Sequence, residues 1–217
     1  MPRQRLFAAA LAALGAVTLL LQLRLTLHNA SATGLTAGQA LWQYFGYFTI
    51  LSNALVVLAL MAWAIGPRSA SSRFLRRVDV QTAVAVAIVI VAVVYHLLLR
   101  NLWQPHGWQW LADQLLHTAM PVLFMLHWWL AVPKAALRFR HVLTCLPYPV
   151  AYAAYAVVRG AADGWYPYPF IDVTALGYPR VAVNALGLLA AFVVVAFVLV
   201  GLGRWQVRGL RVTSNLE

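Results

Sequence analysis

The stretch YFGYFTILSNALVVLALMAWAIG, from Tyr44 to Gly66, is apolar over a length that can cross a membrane. A helix needs about 20 predominantly apolar residues to span the hydrocarbon core of a bilayer. The stretch nevertheless carries Thr49, Ser52 and Asn53 close together. A polar side chain without a partner is costly to place in an apolar environment. The cluster therefore needs either a structural or a functional explanation.

The composition of the whole chain excludes a soluble globular protein. Of its 217 residues, 63% are hydrophobic and only 10% are charged. Soluble domains are typically about half apolar and about one quarter charged, because charged residues cover their surface. The sequence therefore predicts an integral membrane protein.

Six apolar segments are each long enough to cross the bilayer as a helix. They lie at approximately 6–27, 42–65, 80–99, 111–132, 141–159 and 180–203. Each is too long for a barrel strand, so the predicted fold class is all-α: one polytopic domain, 1–217, forming a bundle of six transmembrane helices.

The first segment could instead be a secretory signal, because Arg3 and Arg5 precede it and ASA at 30–32 resembles a cleavage site. Its apolar core is longer than a typical signal core of about 7–15 residues, which favours a true span.

The distribution of basic residues predicts the orientation of these helices. The net charge is +11, and twelve of the 16 Lys and Arg residues fall in the N-terminus, the second and fourth connections and the C-terminal tail. The twelve are Arg3, Arg5, Arg68, Arg73, Arg76, Arg77, Lys134, Arg138, Arg140, Arg204, Arg208 and Arg211. With six spans these segments share one side of the membrane, so the positive-inside rule predicts that both termini are cytoplasmic. The charge therefore indicates topology and contact with anionic membrane lipids, and it does not indicate a nucleic-acid partner.

The single lysine and the single cysteine bear on the source of the protein and on the sites it can form. Lys134 is the only lysine in the chain, and this preference for arginine is typical of a GC-rich bacterial genome. The expected location is therefore a cell membrane, the inner membrane of a bacterium. Cys145 is the only cysteine, which excludes an internal disulfide and a multi-cysteine metal site.

The alternating directions of the spans place several polar side chains in the outer half of the membrane. They are Thr49, Asn53, His96, His117 and Asn184. Each has a structural alternative. A threonine in a membrane helix often bonds the carbonyl four residues earlier, here that of Phe45, and an asparagine often joins two helices. A histidine just below the surface, such as His96, can lie in the lipid headgroup layer.

His117 carries the strongest indication of function. An ionisable group within the membrane is a functional hypothesis by default. Its surroundings are LLHTAMPVLF, with Pro121 four residues later. Proline removes the hydrogen bond to the carbonyl of residue i−4, which belongs to His117, so the sequence predicts a kink with a free acceptor. A histidine at a kink, at the depth of Thr49, is what a buried polar cavity requires.

The chemistry available to these residues is acyl transfer or ester hydrolysis. A threonine hydroxyl is a poor nucleophile until a base removes its proton, and a neutral imidazole is suited to that role. Attack on a carbonyl also requires donors for the developing oxyanion, and asparagine amides can serve. The candidate supporting or oxyanion residues are Asn53 and Asn184, with Ser52 and His96 as further candidates.

Three short motifs connect the chain with a known family. FTILSN in the second span, HTAMP in the fourth and YPYPFID in the last outer loop resemble the androgen-induced membrane hydrolase family, which includes the androgen-dependent TFPI-regulating protein and bacterial six-span relatives. The resemblance covers most of the chain, and it implies a membrane threonine hydrolase of lipid esters. The animal members of the family cleave fatty acid esters of hydroxy fatty acids, and the resemblance leaves the substrate of this chain open. By this resemblance Thr49 is the nucleophile and His117 is the base, with no cofactor. The expected partner is a lipid ester that enters sideways from the bilayer.

Two other functions stay open. A b-type haem electron-transfer protein could use His96 with His117 in the outer half of the membrane and His127 with His141 toward the inner side. His141 belongs to a basic surface cluster, however, and haem ligation would not explain the presence of Thr49 at the same depth. A small transporter or a scaffold is the other alternative, although polar groups confined to one half of the membrane form a poor permeation path. The sequence indicates no oligomeric state.

Overall fold

The computed structural model describes residues 2–213, with side chains from residue 3 to residue 208. Within these ranges the chain is helical with short connections and contains no strand, which confirms the all-α class. Its α-helices are α1 (Pro2–Ala32), α2 (Ala37–Gly46), α3 (Phe48–Ile65), α4 (Ala70–Leu75), α5 (Val78–Val94), α6 (Gly107–Gln114), α7 (Met120–Ala131), α8 (Pro147–Asp163) and α9 (Val173–Thr213). The last helix is interrupted at Gly177, where φ is 73°. Of the basic residues named above, Arg211 lies outside the described side chains.

Among the residues that the structure describes, five helices are long and apolar enough to cross a membrane. They are Arg3–Ala32, Phe48–Ile65, Val78–Leu99, Phe139–Asp163 and Val173–Arg208. The predicted fourth span, 111–132, is not among them. Its helical segment nevertheless runs without a gap over 107–131, and the polar residues Gln114, His117 and His127 reduce its apolar character.

The helices α3 and α5 form the centre of the bundle. In their most apolar windows 61% and 50% of the residues are buried, against 28% in α1 and 22% in each of the last two spans. Their inward faces share a hydrophobic cluster with α7, in which Leu60, Ile88 and Phe124 are fully buried. α1 packs along α3, and a Cβ at Gly15 would lie only 2.8 Å from the side chain of Val57. The first helix is therefore closely integrated into the bundle.

The predicted span 42–65 is not one continuous helix, because the backbone is extended at Tyr47 (φ −79°, ψ 129°). α2 therefore ends at Gly46, and α3 begins one residue after the break. The carbonyls left free at the end of α2 accept hydrogen bonds from α8: Arg159 donates to Trp42, Tyr155 to Phe45 and Tyr152 to Gly46. A Cβ at Gly46 would lie 2.6 Å from the ring of Trp165. The break is thus stabilised by α8 and by the connection that follows it.

Two π turns widen the helical path near His117. One covers Tyr95–Leu99 at the end of α5, and the other covers Leu115–Ala119 between α6 and α7. Such turns are rare and frequently occur at functional sites. In the second turn the carbonyl of Leu116 would bond residue 121 in the π pattern, but Pro121 has no N–H. The predicted distortion at this place therefore takes the form of a π turn.

The predicted spans 141–159 and 180–203 leave an outer loop of 160–179, but in the structure the connection between α8 and α9 comprises only 164–172. Its aromatic side chains cover the helix break. The rings of Trp165 and Tyr168 both meet the ring of Tyr47 edge to face, with centroids 5.4 and 5.9 Å away. The connection therefore packs onto the start of α3.

Candidate active site

Thr49 and His117 lie beside each other in the structure. Thr49 is the second residue of α3, and its Oγ1 is 3.3 Å from Nε2 of His117, which lies in the π turn between α6 and α7. Thr49 is 8% exposed, and the His117 side chain is 15% exposed. The fold thus joins two side chains that the sequence placed only at a similar depth.

Asp113, which the sequence analysis did not select, completes this arrangement. It precedes His117 by one helical turn and is buried. Nδ1 of His117 lies 3.2 Å from Asp113 Oδ1 and 3.0 Å from the Asp113 carbonyl oxygen. Because both neighbours are acceptors, Nδ1 carries the proton in neutral His117, and Nε2 is free to accept from the Thr49 hydroxyl. The three residues have the hydrogen-bond order of nucleophile, base and orienting carboxylate.

Tyr95 contacts both His117 and Asp113. Its ring stacks on the imidazole, with centroids 4.0 Å apart and 13° between the planes. Its hydroxyl donates to Asp113 Oδ2, which also accepts from Gln114 Nε2 at 3.3 Å. A buried carboxylate needs such donors, because an unpaired buried charge is strongly unfavourable. The Asp113 carboxylate is therefore held by donors from three side chains.

Asn53 fixes the backbone on both sides of the site. It is fully buried, and its Nδ2 donates to the carbonyl of Thr49 at 2.9 Å and to that of Leu116 at 3.3 Å. The Leu116 carbonyl is the one that residue 121 would bond in the π pattern if it were not a proline. Both amide hydrogens of Asn53 are thereby used. The predicted role of Asn53 as a partner of His117 or as an oxyanion donor does not fit this geometry.

The start of α3 and Tyr168 supply donors next to the Thr49 hydroxyl. The first N–H groups of a helix have no carbonyl partner within the helix, and Tyr47 at the N-cap makes no side-chain bond to them. The N–H of Thr49 instead donates to the Tyr168 hydroxyl at 3.4 Å. Burial raises the pKa of Tyr168 to about 12, so the hydroxyl stays protonated at neutral pH. The motif YPYPFID, to which the sequence assigned no role, thus contributes a side chain to the site.

Ser52 and Asn184, two further predicted site residues, make contacts elsewhere. Ser52 Oγ is 2.9 Å from the hydroxyl of Tyr148 on α8. Asn184 Nδ2 donates to the Phe170 carbonyl at 2.8 Å and so ties the 164–172 connection to α9. Within the described part of the chain, neither side chain hydrogen-bonds the side chain of Thr49 or His117.

The other histidines of the haem alternative each have their own surroundings. His96 is exposed, and its Nε2 lies 3.1 Å from Thr118 Oγ1. His127 is fully buried against aromatic rings. The Nδ1 of His141 accepts from the backbone N–H of Arg138 at 3.1 Å. Over the residues that the structure describes, no group of three or more His, Cys, Asp or Glu side chains is suited to hold a metal ion.

Two cavities meet at Thr49. The apolar cavity, of about 430 Å³, lies between α5, α8 and α9, and its lining includes Val150, Ala153, Ala185, Leu186 and Phe192. The second cavity, of about 530 Å³, lies between α1, α2 and α6. Much of its lining is also apolar, but it is called the polar cavity because the lining includes the side chains of Gln22, Thr26, Gln109, Asp113 and His117. Thr49 and Tyr168 line both cavities. Each volume falls within the range of about 300–1,000 Å³ that is usual for ligand sites.

Asp113 could have been selected from the sequence. The chain contains only five acidic residues, and this one precedes His117 by four positions within a predicted span. Side chains at i and i+4 lie on the same face of a helix, so the acid–histidine pair was visible before the fold was known. Tyr95 gives no such signal, because a tyrosine near the end of a membrane helix is common.

No protein-family model, no curated protein and no solved structure matches the chain. The geometry of Thr49, His117 and Asp113 is therefore the main basis for inferring a function. The family resemblance of the three motifs stays a prediction.

Proposed function

We propose that this protein hydrolyses a carboxylic ester of a lipid within the membrane, with Thr49 as nucleophile and His117 as general base. One observation carries the proposal: Thr49 Oγ1 lies 3.3 Å from His117 Nε2, while His117 Nδ1 lies 3.2 Å from Asp113 Oδ1. A hydroxyl within reach of a base that a third group orients is the signature of an activated nucleophile. Catalytic hydrogen bonds are often loose before substrate binds, so the first distance is compatible with the role. The resemblance of FTILSN and HTAMP to motifs of membrane threonine hydrolases supports the same two assignments.

The proposed reaction has two steps and needs no cofactor. In the first, Thr49 Oγ1 bonds the acyl carbon, His117 Nε2 takes the hydroxyl proton, and the ester C–O bond breaks as the alcohol oxygen receives that proton. In the second, water bonds the acyl carbon while His117 takes a proton from it, and the bond to Thr49 breaks. The fatty acid leaves, and His117 returns the proton to Thr49. Asp113 accepts from Nδ1–H throughout and stabilises the imidazolium that forms in each step.

The start of α3 and Tyr168 are the proposed oxyanion donors. Backbone N–H groups at a helix N-terminus carry partial positive charge, which favours an anion beside them. The Tyr168 hydroxyl accepts from the Thr49 N–H and keeps its own proton for a substrate oxygen. The helix break at Tyr47 makes this possible, because in a continuous helix these N–H groups would bond carbonyls of the preceding turn.

We also propose six crossings, with both termini in the cytoplasm of a bacterial inner membrane. The segment 107–131 is helical throughout and packs against α1 and α5, which supports a crossing despite its polar residues. His117 and Asp113 within it point into the bundle, so they need not meet lipid. With six crossings the twelve basic residues of the inner segments share one side. The site then opens toward the outer leaflet, and a lipid reaches it sideways.

Activity-based labelling tests the nucleophile. A fluorophosphonate reacts covalently with an activated hydroxyl, so mapping the modified residue on the purified protein in nanodiscs should identify Thr49. Thr49→Ala should abolish both labelling and lipid-ester hydrolysis, because covalent catalysis requires the oxygen. Thr49→Ser keeps the oxygen and should retain measurable turnover. Ser52→Ala, whose hydroxyl contacts Tyr148, is the matched control and should remain near the wild type.

The base is tested in the same assay. His117→Ala should match Thr49→Ala, and the double variant should be no slower, because residues that act as a unit are not additive. Thermal melts of each variant separate loss of chemistry from loss of folding. If well-folded Thr49→Ala still labels and still hydrolyses the ester, the hydroxyl is not the nucleophile and the hydrolase proposal fails.

A further inference from the structure

The two cavities that meet at Thr49 differ in polarity, and this difference bears on the substrate. Building on the proposed hydrolase function, we infer that the substrate is an ester of one fatty acyl chain with an uncharged, polar alcohol. This leaving group differs from the hydroxy fatty acid, with its free carboxylate, of the esters that animal members of the resembled family cleave. The acyl chain occupies the apolar cavity between α5, α8 and α9. The alcohol, and later the attacking water, occupy the polar cavity between α1, α2 and α6.

The position of His117 assigns the two halves of the ester to the two cavities. The proton that His117 Nε2 takes from Thr49 must pass to the leaving alcohol oxygen, and the attacking water must later give a proton to the same nitrogen. Both oxygens therefore have to lie on the side of the imidazole. His117 lines the polar cavity, whereas the lining of the apolar cavity contains Thr49 without His117. The acyl chain must therefore occupy the apolar cavity.

The apolar cavity suits a single hydrocarbon chain that arrives from lipid. Its walls are formed by aliphatic and aromatic side chains of α5, α8 and α9. Two of its lining residues, Val150 on α8 and Leu186 on α9, are 52% and 66% exposed. The cavity therefore reaches the outer surface of the bundle between these two helices. An acyl chain that moves from the lipid into this cavity exchanges one apolar environment for another, so entry has no desolvation cost.

The polar cavity suits a neutral alcohol. Gln109 Nε2 donates to Gln22 Oε1 at 2.9 Å across it, so amide groups of α1 and α6 face the space beside His117. Among its described lining residues there is no lysine or arginine, and Asp113 is the one acidic side chain. A leaving group with a carboxylate or a phosphate would meet a like charge and no compensating cation in this cavity, which disfavours its binding. A glycerol-like alcohol instead finds hydrogen-bond partners.

The first experiment compares leaving groups on the wild-type protein in nanodiscs. The panel consists of a long-chain monoacylglycerol, an ester of the same acid with a long-chain hydroxy acid that has a free carboxylate, and the methyl ester of the latter. We expect kcat/KM for the monoacylglycerol and for the methyl ester each to exceed that for the free carboxylate by at least about tenfold. Equal or better hydrolysis of the free carboxylate would overturn the inference.

The second experiment introduces the missing cation. Gln22→Lys places a positive charge in the polar cavity and should raise kcat/KM for the carboxylate-bearing ester relative to the monoacylglycerol. Gln22→Met, which removes the amide without adding charge, is the matched control and should produce no such gain. A relative gain in both variants, or in neither, would contradict the charge argument.

The third experiment fills the apolar cavity. Ala185→Phe should lower kcat/KM for p-nitrophenyl palmitate by about tenfold or more and change the value for the acetate little, because only the long chain needs the space. Ala190→Phe, on the exposed face of the same helix, is the matched control. Ala153→Phe, on the opposite wall, replaces the first variant if that one does not fold.

These experiments distinguish a wrong assignment of the two cavities from a wrong hydrolase function. If no ester is hydrolysed and the fluorophosphonate does not label Thr49, the hydrolase function itself is wrong. If labelling and hydrolysis occur but filling the apolar cavity affects long and short chains equally, the function stands and the assignment of the two cavities is wrong.

Discussion

Neutralising Asp113 is the sharpest perturbation of the proposed mechanism. In Asp113→Asn the backbone carbonyl of residue 113 still accepts from His117 Nδ1, as it does at 3.0 Å in the structure, so the orientation of the ring should persist. What disappears is the charge that faces the imidazolium at 3.2 Å. Two unit charges at that separation attract by about 5 kcal/mol at an effective dielectric constant of roughly 20. This energy corresponds to a loss of about 10³–10⁴-fold in rate.

The expected signature is a fall in kcat with little change in KM, because the charge of His117 exists only when it has taken a proton. The assay is hydrolysis of a long-chain monoacyl ester in nanodiscs, with thermal melts as the folding control. Asp163→Asn removes an exposed carboxylate at the end of α8 and should leave both constants unchanged. A kcat for Asp113→Asn within tenfold of the wild type would refute the role of the charge. A raised KM at constant kcat would place Asp113 in substrate binding instead.

Three further measurements test other parts of the proposal. Tyr168→Phe should lower kcat by about 10²–10³-fold without unfolding the protein, since it removes one oxyanion donor, and an unchanged kcat would exclude that role. Topology reporters fused after residue 72 should read cytoplasmic and those near residue 165 external, whereas a cytoplasmic signal at 165 would overturn the proposed orientation. Protein purified from haem-sufficient cells should be colourless, and His96→Ala should be much milder than His117→Ala. A stoichiometric Soret band that is lost in both histidine variants would instead favour the haem alternative.

The helical class and the common depth of Thr49 and His117 follow from the sequence alone. Long apolar runs are required of membrane helices, and the rise of about 1.5 Å per residue converts position along a span into depth. The limit of this method appears at 107–131. There polar side chains, including His117 of the candidate site, reduce the apolar signal, so hydropathy does not identify the segment that carries the candidate base.

The helix break at Tyr47 could not be predicted from its neighbourhood, because Gly46 and Tyr47 stand in an apolar run without a polar cap. A break exposes backbone carbonyls that need partners, and these come from distant parts of the chain. The hydroxyl of Tyr152, for example, bonds the Gly46 carbonyl from 106 positions later. The position of Tyr168 could not be predicted from the sequence for the same reason. Its contact with the Thr49 N–H depends on how the 164–172 connection packs.

Under the proposed six crossings, Asp113 is a charged group inside the membrane, and the proposed reaction uses its charge. An ionised carboxylate that lacks partners is strongly unfavourable there. In the structure, donors from Tyr95, Gln114 and His117 offset that cost. When His117 takes a proton in the proposed reaction, its new positive charge pairs with a carboxylate that is already in position. Because this pairing arises only as the transition state forms, it lowers the barrier without stabilising the ground state. A variant with a neutral residue at position 113 should therefore fold normally and should hydrolyse the ester slowly.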